Sequence, residues 1–190
     1  MTRIIGICGP SCSGKSYVSK KLLKYFPDSN RINADMYFKK DSTEVYKGIK
    51  NYDTPESINF KLLIKAVKKL KQGKPAFIIE KIHSELPNKE LQPKEYLFVE
   101  GILIFANSEL AALFDSKIFL DITDENLLKR RTERGRSKYD TNLDYIKNIV
   151  IKHAHEYKGM QKSEADIIID ANHPKEKVLE DVLSFLKSSQ

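Results

Sequence analysis

The sequence predicts a three-layer α/β fold, with helices covering both faces of a mainly parallel central sheet, and two observations carry that expectation. Short apolar runs rich in β-branched residues alternate with amphipathic stretches along the chain. The first run leads straight into "GPSCSGKS", residues 9 to 16, which matches G-x-x-x-x-G-K-[ST] at every position. Strand, glycine loop and helix in that order separate a phosphate-binding loop from a chance match.

"RIIGIC" (3 to 8) reads as a buried strand, and the segment after Ser16 as a helix carrying Val18, Leu22 and Tyr25 or Phe26 on one face, ending at Pro27-Asp28. "RINAD" (31 to 35) is a second strand. "TPESINFKLLIKAVKKL" reads as a helix with Thr54 as N-cap, Pro55 at the first helical position, and Ile58, Leu62, Ala66 and Leu70 inward. "EYLFVEGILIF", "SKIFLDIT" and "ADIIID" supply further strands, and Val178, Val182 and Leu186 mark a final amphipathic helix. Between them, Leu143, Ile146, Val150 and Tyr157 follow helical spacing. In such a sheet the working loops lie at the carboxyl ends of the strands.

The chain of 190 residues is read as a single domain over 1–190, since no Pro/Gly/Ser-rich linker divides it. Its apolar stretches are strand-sized, and the N-terminus lacks a charged region followed by a long apolar one, so no membrane span and a cytoplasmic protein are expected. A net charge of +7 suits an anionic partner, but lysines scattered along helices, as in "KLLIKAVKKLKQGK", are explained by a solvated helix face. Cys8 reads as strand core and Cys12 as a small loop residue, neither with a redox role. His153 and His155 stand two apart on a helix and point to different sides, so they form no metal pair; His173, before Pro174, reads as a turn residue.

The motif's chemistry follows from its backbone. Gly9 and Gly14 let successive N–H groups turn in around phosphate oxygens, and the following helix aims its positive end at the same anion. Lys15 reaches the outer phosphates and the Ser16 hydroxyl ligates Mg²⁺. The bound molecule is then a nucleoside triphosphate, within a phosphate-loop (P-loop) NTPase fold. The ATP-binding set read here is Gly9, Pro10, Ser11, Cys12, Ser13, Gly14, Lys15, Ser16 and Tyr17.

Phosphoryl transfer to a hydroxyl needs an acceptor-orienting carboxylate, a metal-side carboxylate and mobile cations. Asp35, closing the second strand in "NADMYFKK", is the first candidate, with a helix cap as its alternative role. Glu100, closing the apolar run "YLFVE" before Gly101, is the second. "KRRTERGRS" supplies the cations as an arginine-bearing lid over about 129–142, where a surface patch is the competing reading.

These motifs, with "NYDTPESIN", "LFVEGILIF", "ERGRS" and "EADIIID", come in the order and approximate spacing of the uridine kinase-like nucleoside kinases. That group includes the nicotinamide riboside kinases and lies near phosphoribulokinase and pantothenate kinase. The resemblance implies that Asp35 is the general base toward a ribose 5′-hydroxyl, that Tyr37 and Phe38 line the nucleoside pocket, and that Asp53 holds the ribose hydroxyls. It implies ATP and Mg²⁺ as cofactors handled by Lys15, Ser16 and Glu100. In the lid it implies Arg130 on ATP, Arg131 and Arg134 at the transferring group, and Arg131 and Arg136 toward the acceptor. The segment 171–173, with Asn172, falls at the adenine edge.

The sequence departs from the pattern at three places. Phe77 and Ile78 stand where Tyr and Asp are expected, with His83 near the position of a base-reading histidine. The lid is short, because Arg130-Arg131 run almost directly into "TERGR", and "KGMQKSEAD" lacks the usual proline. Uridine or cytidine is the foremost acceptor and nicotinamide riboside the rival, and the chain leaves ATP against GTP and a homo-oligomer open. A regulatory or nucleic-acid-stimulated NTPase is the alternative of another class. Against it, "NKEL" at 88–91 lacks the Asp of a guanine-reading motif, and no aromatic and basic RNA-binding module is visible.

Overall fold

The structure, a computed structural model, describes residues 1–40, 45–84, 86–135 and 137–188. Its centre is a five-stranded parallel sheet. The strands are β1 (Arg3–Cys8), β2 (Ser29–Asn33), β7 (Tyr96–Gly101), β8 (Ser116–Asp121) and β9 (Ile167–Asp170), in the order β2-β7-β1-β8-β9. Two short antiparallel hairpins, β3 (Val45–Tyr46) with β4 (Ile49–Lys50) and β5 (Ala76–Ile78) with β6 (Lys89–Leu91), stand apart from the sheet. Neither hairpin was expected from the sequence.

Period-2 alternation sorts β1 onto two cores. Ile4 and Cys8 face one layer, where Leu63, Val67 and Leu70 of α2 (Phe60–Lys71) pack with Phe105 and Leu110. Ile5 and Ile7 face the other layer. There they meet Val18 and Leu22 of α1 (Lys15–Tyr25), and Val178, Val182 and Leu186 of the C-terminal helix (Lys175–Ser188). Burial on both faces is why these strands read as continuous apolar runs.

The register brings five strand ends to one edge: Cys8 opposite Gly101, Asn33 opposite Glu100, and Asp121 opposite Asp170. The chain leaves β1 for β2 on one side, whereas β8 and β9 lie on the other. The phosphate loop after β1 therefore occupies the point where the strand order reverses, where open α/β sheets place their ligands.

Three local expectations are corrected. β2 ends at Asn33, and Asp35 stands in a 3₁₀ turn (Ala34–Tyr37) whose cap is the Asn33 side chain, accepting from the Asp35 N–H at 2.9 Å. The helix expected from Pro55 is a 3₁₀ turn (Pro55–Ser57). Ile58 then bridges to Phe38, and Asn59 caps α2 by accepting from the Leu62 N–H at 3.2 Å. The stretch expected as one helix through Ile146 and Tyr157 runs through a π-helical segment (Ile146–Ile151) before an α-helix (Lys152–Ser163), so its side chains do not keep a single 3.6-residue stripe.

Candidate active site

Backbone conformation shapes the loop after β1. A Cβ on Gly9 would come within 2.4 Å of the Leu120 carbonyl oxygen, so no other residue fits beneath β8. Gly14, at φ +97°, turns the chain into α1, where the Tyr17 and Val18 N–H groups both reach its carbonyl at 3.0 Å. Lys15 is almost wholly buried and curls over the loop, donating to the Pro10 carbonyl at 2.7 Å.

Beside this loop lies a cavity of about 290 Å³, lined by Ser11, Cys12, Gly14, Lys15, Ser16, Tyr17, Asp35, Ile102, Arg130 and Arg134. A second cavity of about 490 Å³ adjoins it. Its walls are Ser11, Asn33, Asp35, Met36, Phe38, Tyr52, Asp53, Ile82, His83, Ile102, Arg131, Arg134, Tyr139 and Tyr145. Ser11, Asp35, Ile102 and Arg134 belong to both, so they form the shared wall.

Asp35 is the acid on that wall. Its Oδ1 is buried without a hydrogen-bond partner. Burial first, and the nearby Glu100 carboxylate second, push its pKa up to about 7, with Lys15 pulling the other way. Glu100 is fully buried. Its Oε1 accepts from the Ser16 hydroxyl at 2.8 Å and from the Arg31 guanidinium, whereas Oε2 has no partner. Burial also raises Asp53, against the pull of Arg131, His153 and Lys15.

The cations converge from the helix Asp124–Arg134, which ends at Gly135 in the left-handed conformation. Arg131 donates to the Ser11 hydroxyl at 2.6 Å and to the Tyr139 carbonyl at 3.0 Å. Arg134 pairs with the buried Asp140. Arg130 reaches the carbonyls of Cys12 at 3.4 Å and of Asn172 at 3.3 Å, which ties this helix to the phosphate loop and to the turn after β9.

The aromatic wall is a set of tilted rings. Phe38 lies 4.9 Å from Tyr52 between ring centroids, and Tyr52 lies 5.5 Å from His83, with the Tyr52 hydroxyl 3.3 Å from His83 Nε2. His83 lines the second cavity at φ +62°, with Nδ1 buried and unpartnered.

Most residues singled out from the sequence meet here, and several do not. Tyr37 is core: it is 1% exposed and its hydroxyl oxygen accepts from the Ile79 N–H at 3.3 Å. Phe77, 58% exposed on β5, lines neither cavity, because Ala76 and Ile78 take the inward positions of that strand. Asn172 also lines neither; its side chain caps the Thr123 region, accepting from the Thr123 N–H at 3.0 Å. Gly9, Pro10 and Ser13 line neither cavity. Arg136 lies outside the described residues. Cys8 is buried, its thiol donating to Gln161 at 2.9 Å and pushed up to about 12 by burial, as a core residue should be. His153 is largely covered and His155 exposed, on separate partners, and no cluster of three His, Cys, Asp or Glu side chains suited to a metal occurs among the described residues.

Sequence reasoning missed Arg31, Tyr52, Tyr139 and Tyr145. Arg31 carried no local mark, since its strand, Ser29–Asn33, has Ile32 as its single apolar residue. Tyr52 stood next to Asp53 in "NYD"; the other two tyrosines carried no local mark.

Comparison with known proteins agrees with this geometry. The family model "Phosphoribulokinase / Uridine kinase family" matches residues 4–178. The uridine kinase of Streptococcus pneumoniae (strain Hungary19A-6) is 33% identical over 178 residues, covering 87% of this chain and 84% of that protein. Among solved structures, one described as a possible uridine kinase from Bacillus stearothermophilus superposes with a TM-score of 0.66 at 15% identity, covering 89% of each chain. Shikimate kinase from Acinetobacter baumannii, in complex with shikimate, gives 0.63 at 12% identity over 100% of this chain and 96% of that one. The two structural likenesses establish the fold, a parallel sheet around a phosphate loop. With the family match over nearly the whole length, the chain belongs to the phosphoribulokinase/uridine kinase family.

Proposed function

We propose that this protein is an ATP-dependent kinase that moves a γ-phosphoryl group to the 5′-hydroxyl of a ribonucleoside, uridine or cytidine foremost. One observation carries the reading: Asp35 lies on the wall shared by the phosphate-loop cavity and the aromatic cavity. A hydroxyl presented from the second cavity then meets a carboxylate that also faces the first. With its pKa near 7, Asp35 is matched to taking that proton at neutral pH.

The other residues divide the work by position. Loop N–H groups and Lys15 hold the donor's phosphates. Arg131 and Arg134, which line the second cavity with Tyr139, neutralise charge on the transferring group. Asp53 accepts from ribose hydroxyls, and the tilted rings of Phe38, Tyr52 and His83 receive the base.

Mg²⁺ fits the donor set: the Ser16 hydroxyl and the buried, unpartnered oxygen of Glu100 are hard ligands, few enough to leave positions for water and phosphate. When bound, the ion neutralises phosphate charge. A cytoplasmic place and the absence of a nucleic-acid partner are part of the same proposal; no helix among the described residues is long and apolar enough to cross a membrane.

Nicotinamide riboside is the rival acceptor. The faces of Tyr52 and Phe38, with Asp35 and Asp53 in one cavity, suit a cationic ring. The deciding experiment is mass spectrometry of products after incubation with ATP, Mg²⁺ and a pool of uridine, cytidine, nicotinamide riboside, pantothenate and ribulose 5-phosphate. The expected result is one new nucleoside monophosphate, lost in Asp35→Asn. ADP release that ignores every acceptor and the substitution would overturn the kinase reading in favour of an NTPase switch.

A further inference from the structure

Arg31 stands in β2 opposite Phe98 of β7, and the strand register places Glu100 two residues further along the same face. Its guanidinium spans two partners on different elements: Nε donates to the Ser19 hydroxyl of α1 at 2.7 Å, and Nη2 donates to Glu100 Oε1. The Ser16 hydroxyl donates to that same Oε1. One oxygen of a fully buried carboxylate thus takes two donors, and the other, Oε2, is buried with none.

A buried carboxylate stripped of its partner is costly, so a cation here has an electrostatic reason to exist. Charge compensation alone does not explain the asymmetry. A lysine could supply the charge; a planar fork fixed at Ser19 sets the rotation of the carboxylate as well. Fixing Oε1 against Arg31 and Ser16 leaves Oε2 as the free ligand beside the phosphate loop.

From this geometry we infer that Arg31 is a positioning residue for the metal side of the site: it holds Glu100 so that Oε2 is presented to the Mg²⁺ that accompanies the nucleotide. The inference rests on the proposed use of Mg²⁺–ATP, and its test separates the two. Partners of this kind orient metal ligands without touching the metal.

The experiment is calorimetric titration of the purified protein with ADP, once with Mg²⁺ and once with EDTA, for wild type, Arg31→Met and Arg31→Lys. Wild type is expected to bind ADP more tightly with Mg²⁺. In Arg31→Met the tightening by Mg²⁺ should shrink by about tenfold, with affinity in EDTA unchanged within about twofold, and Arg31→Lys should recover part of it. Equal weakening under both conditions, or no change under either, would make Arg31 a scaffold residue and overturn the inference. Wild type that binds ADP alike with Mg²⁺ and with EDTA would instead remove the Mg²⁺ reading itself. If Arg31→Met does not fold, Ser19→Ala, which frees one arm of the fork, should move the Mg²⁺ advantage in the same direction by a smaller factor; an unchanged advantage there also overturns it.

Discussion

Arg131 donates to the hydroxyl of Ser11 at 2.6 Å, joining the arginine-bearing helix to the phosphate loop across 120 residues of sequence. The same guanidinium approaches the buried Asp140, which Arg134 also grips, so two cations at the cavities share one internal counter-ion. The shared pairing fixes the orientation of both guanidiniums, with Arg131 almost wholly buried and Arg134 partly exposed.

Replacing Arg131 with Met should lower kcat for nucleoside phosphorylation by about a thousandfold, the lower end of what a phosphoryl-stabilising arginine supplies. ADP affinity should change far less. Steady-state kinetics beside a binding titration checks the split; equal losses in both would assign Arg131 to ground-state nucleotide binding.

Asp35 joins function to stability with a definite sign. Its carboxyl holds a proton more tightly folded than unfolded, so the stabilisation is complete below the ordinary carboxylate range and lost as pH rises through about 7. Asp35→Asn should therefore melt higher than wild type at about pH 8, with the gap closing toward about pH 4. The same substitution should cost about 10²- to 10⁴-fold in kcat. In the wild type, kcat/KM should climb with pH along an acid limb centred near 7. Thermal melts and a pH–rate profile test both; a limb near 4 would mean that the free enzyme's base is not perturbed.

Tyr52 neighbours both Phe38 and His83. Tyr52→Leu should raise the nucleoside KM by about two- to tenfold, the worth of an aromatic stack, and leave kcat nearly unchanged. Asp53→Ala should erase most of the preference for uridine over 2′,3′-dideoxyuridine. If the preference survives, the ribose hydroxyls bind elsewhere.

Gly101 ends β7 where a Cβ would come within 2.8 Å of both the Ala34 Cβ and the Ile104 Cγ2. Gly101→Ala should cost about 1–3 kcal/mol by overpacking. Because Ala34 precedes Asp35, activity should fall with the midpoint of urea unfolding; full activity in a destabilised protein would show that the Asp35 turn tolerates displacement.

The sequence by itself determined the features that local spacing encodes. The phosphate loop is a run of eight residues, the buried strands announce themselves as β-branched runs, and Glu100 is an acid where an apolar run stops. It also marked the arginines of the helix ending at Gly135. What it did not contain was which of two neighbours turns inward. Tyr37 enters the core and Phe38 the cavity because the chain past Asn33 winds into a 3₁₀ turn instead of continuing as strand. Phe77 faces solvent because β5 spends its inward positions on Ala76 and Ile78.

The partnerships of Arg31 with Glu100, Tyr52 with His83 and Arg131 with Ser11 join segments 69, 31 and 120 residues apart. Periodicity records only neighbours two to four positions away along one element. Contacts between elements follow from sheet register and from the order in which strands assemble, and those belong to the tertiary structure alone.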